Sequence, residues 1–130
     1  MAVSKKILVV DDDPDILEQV ELVLKANGYD VATAGSAADA EEFLTATQPD
    51  MVVLDLMMEH MDSGFVLCNQ IKKLYSNMPV IMLTAVSAST GLGFDIRTPE
   101  AKSWIKADCI LDKPVRAEEL LNAVRKLLQA

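Results

Sequence analysis

The sequence predicts an α/β fold, with a doubly wound parallel sheet of five strands in a three-layer α/β/α sandwich. Short apolar runs rich in Val and Ile alternate with longer segments whose apolar residues recur at helical spacing. Strands that alternate with helices form parallel sheets through right-handed crossovers, and the helices then cover both faces. The predicted strands are 7–10, 30–33, 51–54, 80–83 and 109–111, of which 30–33 is the weakest run.

The predicted helices carry start and stop signals. Asp13 and Pro14 suit the N-cap and the first helical position of the first helix, and Gly28 suits the residue just after its end. Ser36, followed by Asp39 three residues later, is typical of a capping box at the start of the second helix. The other predicted helices are 64–74, a short one at about 99–106, and 116–128.

Length and charge restrict the class of protein. A chain of 130 residues is the size of one ordinary domain. Its formal net charge of −8 repels phosphate backbones and anionic lipid, so direct nucleic-acid binding and membrane insertion are not expected. Cys68 and Cys109 have neither disulfide nor zinc-site spacing, and we expect both to be buried thiols in a reducing cytoplasm. The sequence leaves the oligomeric state open.

One segment fits neither the helical nor the strand pattern. Residues 85–97 are mostly small and polar, and a loop of that length inside a compact domain is usually functional or mobile. We therefore predict a single domain over 1–130, with this long loop at about 85–97 in place of a regular start to the fourth helix.

Polar side chains follow four of the five predicted strands. Three aspartates, 11–13, follow the first strand, and Asp55 follows the third. Thr84 ends the fourth strand, and Lys113 follows the fifth. Because parallel strands in such a sheet end at one edge, where ligands bind, we expect these groups to meet there.

Those residue types suit phosphoryl transfer to a carboxylate. Neighbouring carboxylates repel one another unless one is protonated or a cation is bound. A ligand set of oxygens alone favours a hard ion, either Mg²⁺ or its mimic Mn²⁺. Lys113 can neutralise a phosphoryl oxygen, and the Thr84 hydroxyl can donate to another. A carboxylate nucleophile, a metal and a fixed cation are the parts that this chemistry needs.

These residues resemble the receiver domains of two-component response regulators, a CheY-like family with a flavodoxin-like fold. The matching segments are 7–15, 51–58, 79–85 and 113–114, which occur in the family's order and span most of the chain. The resemblance implies that Asp55 accepts a phosphoryl group. The donor would be a histidine kinase, a phosphotransfer protein or a small molecule such as acetyl phosphate.

The resemblance also implies a role for each site residue. Asp12 and Asp55 would contact Mg²⁺ directly, together with the backbone carbonyl of Met57, and Asp11 would act largely through water. The small side chain of Ala85 would leave the site open to the donor.

Three further family positions concern the response to phosphorylation. Thr84 would be the switch hydroxyl, and Lys113 would be the counter-cation, joined to Pro114 by a cis peptide bond. Phosphorylation would then change the partner preference of the face formed by the fourth helix, the fifth strand and the fifth helix. Ile110 occupies the place of the family's switch aromatic, so coupling through a ring is absent here.

The sequence departs from the family pattern at two more places. The loop after Asp55 lacks the usual proline, has one extra residue, and contains His60, which we interpret as a solvated loop residue. The segment 85–106 is longer than usual and contains Phe94 and Trp104, which we predict to belong to a partner face. Because no effector domain is present in the 130 residues, output is expected to need a partner protein or a missing domain.

Three alternatives belong to other classes. An aspartyl-nucleophile hydrolase would need a second acid where Met57 stands. A flavodoxin-like electron carrier would need a phosphate-binding loop where three aspartates stand, at 11–13. A phosphorylation-independent pseudo-receiver, used only for interaction, stays open because of Ile110 and the altered loop. We also expect slow autodephosphorylation, since the apolar residues Met57 and Val86 cannot orient an attacking water.

Overall fold

The fold follows the predicted alternation of strands and helices. The computed structural model describes residues 5–55, 63–84, 107–112 and 115–128. Its strands are β1 (Lys6–Val10), β2 (Asp30–Ala34), β3 (Met51–Asp55), β4 (Val80–Thr84) and β5 (Cys109–Asp112). The helices in these ranges are α1 (Pro14–Ala26), α2 (Ala37–Ala46), α3 (Ser63–Leu74) and α4 (Ala117–Leu128). The observed bounds differ from the predicted ones by only one or two residues at most ends.

The five strands form one parallel sheet in the order β2-β1-β3-β4-β5. This order confirms the predicted doubly wound α/β fold. Successive strands are added on one side of β1 for β2 and on the other side for β3, β4 and β5, so the order of strand addition reverses between β1 and β3. In sheets of this kind ligands bind at that switch point, beyond the carboxyl ends of the strands.

Two apolar cores lie on opposite faces of the sheet. Ile7 and Val9 of β1 belong to the core beneath α1 and α4, whereas Leu8 and Val10 belong to the core beneath α2 and α3. Both faces of a central strand are therefore buried, and all five residues of β3 and of β4 are buried. This double coverage explains why these strands appear in the sequence as unbroken apolar runs.

The predicted helix caps are present. The Asp13 carboxylate accepts a hydrogen bond from the Asp15 backbone N–H at 2.9 Å, and Ser36 Oγ accepts one from the Asp39 backbone N–H at 3.1 Å. Gly28 has φ of +92° just after α1, a conformation that favours glycine. These local contacts place the start of α1 directly after the aspartates that follow β1.

The two cysteines differ in burial, which corrects part of the sequence prediction. Cys68 is buried in the core beneath α2 and α3, as expected, but Cys109 is only partly buried because β5 is an edge strand. Partial burial nevertheless raises the pKa of the Cys109 thiol, an effect that the nearby charge of Lys126 opposes. Across the described ranges, no helix combines the length and the apolar character needed to cross a membrane.

Candidate functional site

Three carboxylates meet at the switch point of the sheet. Asp11 and Asp12 directly follow β1, and Asp55 is the last residue of the neighbouring strand β3. One carboxylate oxygen from each of the three side chains lies within 4.8 Å of the other two. The three carboxylates are thus close enough for one divalent cation to bind among them, at the edge where the sequence predicted that the aspartates meet.

The three acids differ in their access to solvent. Asp11 and Asp55 are buried, with 1% and 6% of their surface exposed, whereas Asp12 is exposed. The cluster is thus enclosed on the side of the sheet and open at Asp12. Partial removal from water strengthens the interaction of these carboxylates with a cation.

Backbone contacts set the position of Asp11. Its own N–H donates to the Ala34 carbonyl at 3.1 Å, which extends the contact between β1 and β2 by one residue. Its Oδ1 atom accepts a hydrogen bond from the Asp13 backbone N–H at 2.9 Å. Asp13 therefore caps α1 with its side chain and holds Asp11 with its backbone. The capping role was predictable from the sequence, but the contact with Asp11 was not, because a backbone hydrogen bond has no residue-type signal.

Thr84 lies on the strand next to Asp55. Asp55 is in register with Leu83 of β4, so Thr84 lies one residue beyond Asp55 at the carboxyl edge. Its surface is 0% exposed. On its other side, Thr84 is in register with Asp112, the last residue of β5. The chain therefore leaves β5 opposite Thr84, immediately before Lys113 in the sequence.

Ile110, the residue at the family's aromatic position, is partly buried. It is in register with Met82 of β4 and packs against the core beneath α2 and α3. Several other predicted features lie outside the described residues. They are Met57, His60, Ala85, Val86, Phe94, Trp104, Lys113 and Pro114, the loop at about 85–97 and the short helix at about 99–106.

An apolar cleft lies between α1 and the start of α4. Its volume is about 370 Å³. Ile16 in the first turns of α1 and Leu83 near the end of β4 place part of its lining near the carboxyl edge. Leu22, which also lines the cleft, has 62% of its surface exposed although it is a large apolar residue. No sequence signal predicts this cleft, because it forms only when α1 and α4 are brought together.

Comparison with known proteins assigns the chain to a family. The family described as the response regulator receiver domain matches residues 7–125. The response regulator MprA of Mycobacterium ulcerans is 36% identical over 126 residues, which are 97% of this chain and 51% of that protein. The chain thus spans about half the length of the curated relatives it matches.

Solved structures agree with this assignment. A putative response regulator from Chloroflexus aurantiacus has a TM-score of 0.83 and 32% identity, with 98% of this chain and 100% of that chain covered. The response regulator TrrA of Thermotoga maritima, solved in complex with Mg²⁺ and BeF, has a TM-score of 0.80 and 33% identity. That alignment covers 95% of this chain and 99% of TrrA.

The fold and the acid cluster define a doubly wound α/β domain with a candidate cation site at its switch point. The chain belongs to the response regulator receiver domain family. It is therefore a signalling domain of the kind found in two-component response regulators.

Proposed function

We propose that this receiver domain accepts a phosphoryl group on Asp55 in the presence of Mg²⁺. The observation that carries the proposal is the meeting of Asp11, Asp12 and Asp55, with carboxylate oxygens within 4.8 Å of one another, at the switch point of the sheet. Asp55 ends β3, so its carboxylate is held at the carboxyl edge where ligands of such sheets bind.

The residues present fit a hard divalent cation. The described donors are carboxylate oxygens, which Mg²⁺ and Mn²⁺ prefer, and Met57 would add its carbonyl. When bound, Mg²⁺ would neutralise the negative charge that the phosphoryl oxygens bring to the site. Asp12 and Asp55 would hold the ion directly. Asp11, which the Asp13 N–H holds in place, would act mainly through water.

The chain's own residues would perform the transfer as follows. An oxygen of the Asp55 carboxylate attacks the phosphorus atom, a new O–P bond forms, and the bond from phosphorus to the donor breaks. Lys113 would pair with one phosphoryl oxygen, and the Thr84 hydroxyl would donate to another. Thr84 ends β4 next to Asp55, which supports this role. In this sense the domain would catalyse its own phosphorylation and its own slow dephosphorylation.

The cleft between α1 and α4 supports a protein as the phosphodonor. A donor that presents a phosphohistidine must cover the carboxyl edge of the sheet, and part of the cleft lies at that edge. Leu22, farther along α1, adds an exposed apolar contact to the same cleft. We propose a histidine kinase or a phosphotransfer protein as this partner, with small phosphodonors as substitutes.

The output would pass to another protein or to a further domain. Thr84 would move towards the phosphoryl group, and the face around β5 and α4 would change its partner preference. We propose that segment 85–106, with Phe94 and Trp104, contributes to that face. We further propose that the protein is cytoplasmic and that this domain does not bind nucleic acid directly. The comparisons with known proteins give no support to the pseudo-receiver alternative.

Intact-protein mass after incubation with acetyl phosphate and Mg²⁺ tests the proposal. We expect a single added phosphoryl group on the wild-type domain. The Asp55→Asn variant is expected to remain unmodified, and so is the wild type in the presence of a chelator. A matched control is Asp30→Asn, because Asp30 is an exposed aspartate at the start of β2, at the opposite edge of the sheet.

Modification of Asp55→Asn at the wild-type rate would assign the phosphoryl group to another residue and would refute the proposal. If acetyl phosphate leaves the wild type unmodified, beryllofluoride provides the second readout, through amide shifts of Asp55 and Thr84. A protein that is silent to both reagents in the presence of Mg²⁺ is not an active receiver.

A further inference from the structure

Two aspartates at the amino edge of the sheet make the same pair of hydrogen bonds. Asp50, just before β3, donates its N–H to the Lys6 carbonyl at 2.7 Å and accepts the Lys6 N–H on Oδ2 at 2.8 Å. Asp108, just before β5, donates its N–H to the Val80 carbonyl at 2.8 Å and accepts the Val80 N–H on Oδ2 at 2.8 Å. We call each arrangement an aspartate bracket.

An aspartate bracket joins the first residue of one strand to the residue before the neighbouring strand. The aspartate carboxylate takes the place of a backbone carbonyl as the acceptor. One aspartate therefore forms hydrogen bonds with both the backbone N–H and the backbone carbonyl of the first strand residue. This fixes which residues face each other at the start of the pair. In the bracket of Asp108, the alignment continues without a break to Thr84 and Asp112 at the far end.

The Asp108 bracket has a further support that the Asp50 bracket lacks within the described contacts. Lys72 of α3 places its Nζ atom 2.8 Å from Asp108 Oδ2 and 2.6 Å from the Met78 carbonyl. The Lys72 side chain is only 17% exposed, so this ion pair is partly shielded from water. The last turns of α3, the loop before β4 and the start of β5 are therefore tied together at one carboxylate.

The two brackets differ in what else holds their strands. β3 lies between β1 and β4 and is paired on both sides, so its register does not depend on Asp50 alone. β5 has four residues, lies at the edge of the sheet and, among the described strands, is paired only with β4. A short edge strand with one neighbour has few other contacts that specify its register.

We propose that Asp108, supported by Lys72, is a positioning residue for phosphoryl transfer. Its bracket sets the register of β5 on β4, and that register determines where the chain leaves the sheet beside Thr84. The proposal rests on the proposed function, since Lys113 follows β5 directly in the sequence. Asp108 lies at the opposite edge of the sheet and touches neither substrate nor metal. Its effect on the chemistry would be transmitted along the strand.

The test compares Asp108→Ala with Asp50→Ala. Asp50→Ala removes the same kind of side-chain acceptor from a strand that has a paired neighbour on each side. Phosphorylation by acetyl phosphate is measured with Mg²⁺ at a temperature where both variants are fully folded. We expect Asp108→Ala to slow phosphorylation about tenfold or more, because small displacements of a reacting group have effects of that size. We expect Asp50→Ala to stay within about twofold of the wild type.

Three further readouts separate a positioning role from general destabilisation. Mn²⁺ affinity is expected to stay within about twofold of the wild type in both variants. Asp108 belongs to neither of the strands that carry the acids, and the strand that follows Asp50 is held by neighbours on both sides. Amide hydrogen exchange in β5 is expected to rise about tenfold in Asp108→Ala and to stay unchanged in Asp50→Ala. Asp108→Asn keeps an acceptor for the Val80 N–H but loses the ion pair, and its rate is expected to fall between those of Asp108→Ala and the wild type.

Wild-type phosphorylation by Asp108→Ala would overturn the proposal, and so would an equal loss of rate in Asp50→Ala. Unchanged exchange in β5 would also overturn it, because the register would then not depend on Asp108. The exchange measurement applies even if the wild type is never phosphorylated. Failure of the proposed function is therefore distinguishable from failure of this inference.

Discussion

At the scale of single residues, Asp11 is held by a side-chain contact two positions along the chain, in addition to its backbone hydrogen bond to Ala34. Asp13 accepts a hydrogen bond from the Asp15 N–H with its side chain and donates one to Asp11 Oδ1 from its backbone. The start of α1 and the position of Asp11 are therefore linked through one residue. Substitutions at Asp13 are expected to affect both stability and the site.

We predict that Asp13→Ala destabilises the domain by about 1 kcal/mol, the usual cost of losing an N-cap acceptor. Asp13→Asn keeps an acceptor and is expected to cost much less. Urea unfolding of the two variants and the wild type measures the difference. Equal free energies of unfolding for Asp13→Ala and the wild type would show that the cap contributes nothing.

The lifetime of the phosphorylated state also depends on single residues. Met57 and Val86 are apolar, so neither can orient a water molecule for attack on the phosphoryl group. We predict that the wild-type phosphoryl group persists for minutes or longer, and that Met57→Asn shortens its lifetime. The decay of the phosphorylated mass after removal of the donor measures this. Loss from the wild type within seconds would contradict the prediction.

At the scale of elements, each helix is held by a single apolar stripe, and α1 shows this most clearly. Leu24 is 0% exposed in the core beneath α1 and α4, whereas Leu22, two positions earlier on the same helix, is 62% exposed beside the cleft. The two leucines have the same helix propensity but face different surroundings. The helix therefore depends on its inner face for stability and leaves its outer face available for contact.

We predict that Leu24→Ala destabilises the domain by about 2–5 kcal/mol, because it removes buried methyl groups and leaves a cavity. Leu22→Ala is expected to change stability by less than about 0.5 kcal/mol, as exposed positions usually do. Thermal and urea unfolding measure the free energy of unfolding of both variants, which differ only in which face of α1 they alter. Because the cleft is proposed as a contact for the donor protein, Leu22→Ala is expected to slow phosphoryl transfer from that protein and to leave phosphoryl transfer from acetyl phosphate unchanged.

At the scale of the whole molecule, the acidic surface and the acid cluster both oppose compaction in the absence of cations. The chain carries a formal charge of −8, and three of its carboxylates share one site. A ligand that binds only the folded state stabilises it by mass action. Binding of Mg²⁺ should therefore appear in the stability of the entire domain.

We predict that Mg²⁺ raises the melting temperature, with about 2.7 kcal/mol of stabilisation at a concentration one hundred times the dissociation constant. Asp12→Asn is expected to be more stable than the wild type without Mg²⁺, since repulsion is relieved, and to respond less to the ion. NaCl at equal ionic strength controls for general screening. Specific binding would be contradicted if NaCl raised the melting temperature as much as Mg²⁺ does. It would also be contradicted if Mg²⁺ stabilised Asp12→Asn as much as the wild type.

Much of this protein could be predicted from local patterns. The unbroken apolar runs of β3 and β4, the caps at Asp13 and Ser36, and the acids after β1 and β3 are all features of neighbouring residues. Because every predicted strand was parallel, the ends that carry polar residues had to share one edge. The fold class and the meeting of the acids followed from that reasoning, whereas the family followed from the resemblance of the matching segments; the structure and the comparisons confirm all three.

Other features depend on residues that are distant in sequence, and no local pattern predicts them. The aspartate brackets join Asp50 to Lys6 and Asp108 to Val80. The partial exposure of Cys109 follows from the edge position of β5, which is a property of the strand order. The cleft beside α1 exists because α4, the last helix of the chain, packs next to the first. Long-range packing sets these contacts, since each needs two segments to be brought together before either residue has a partner.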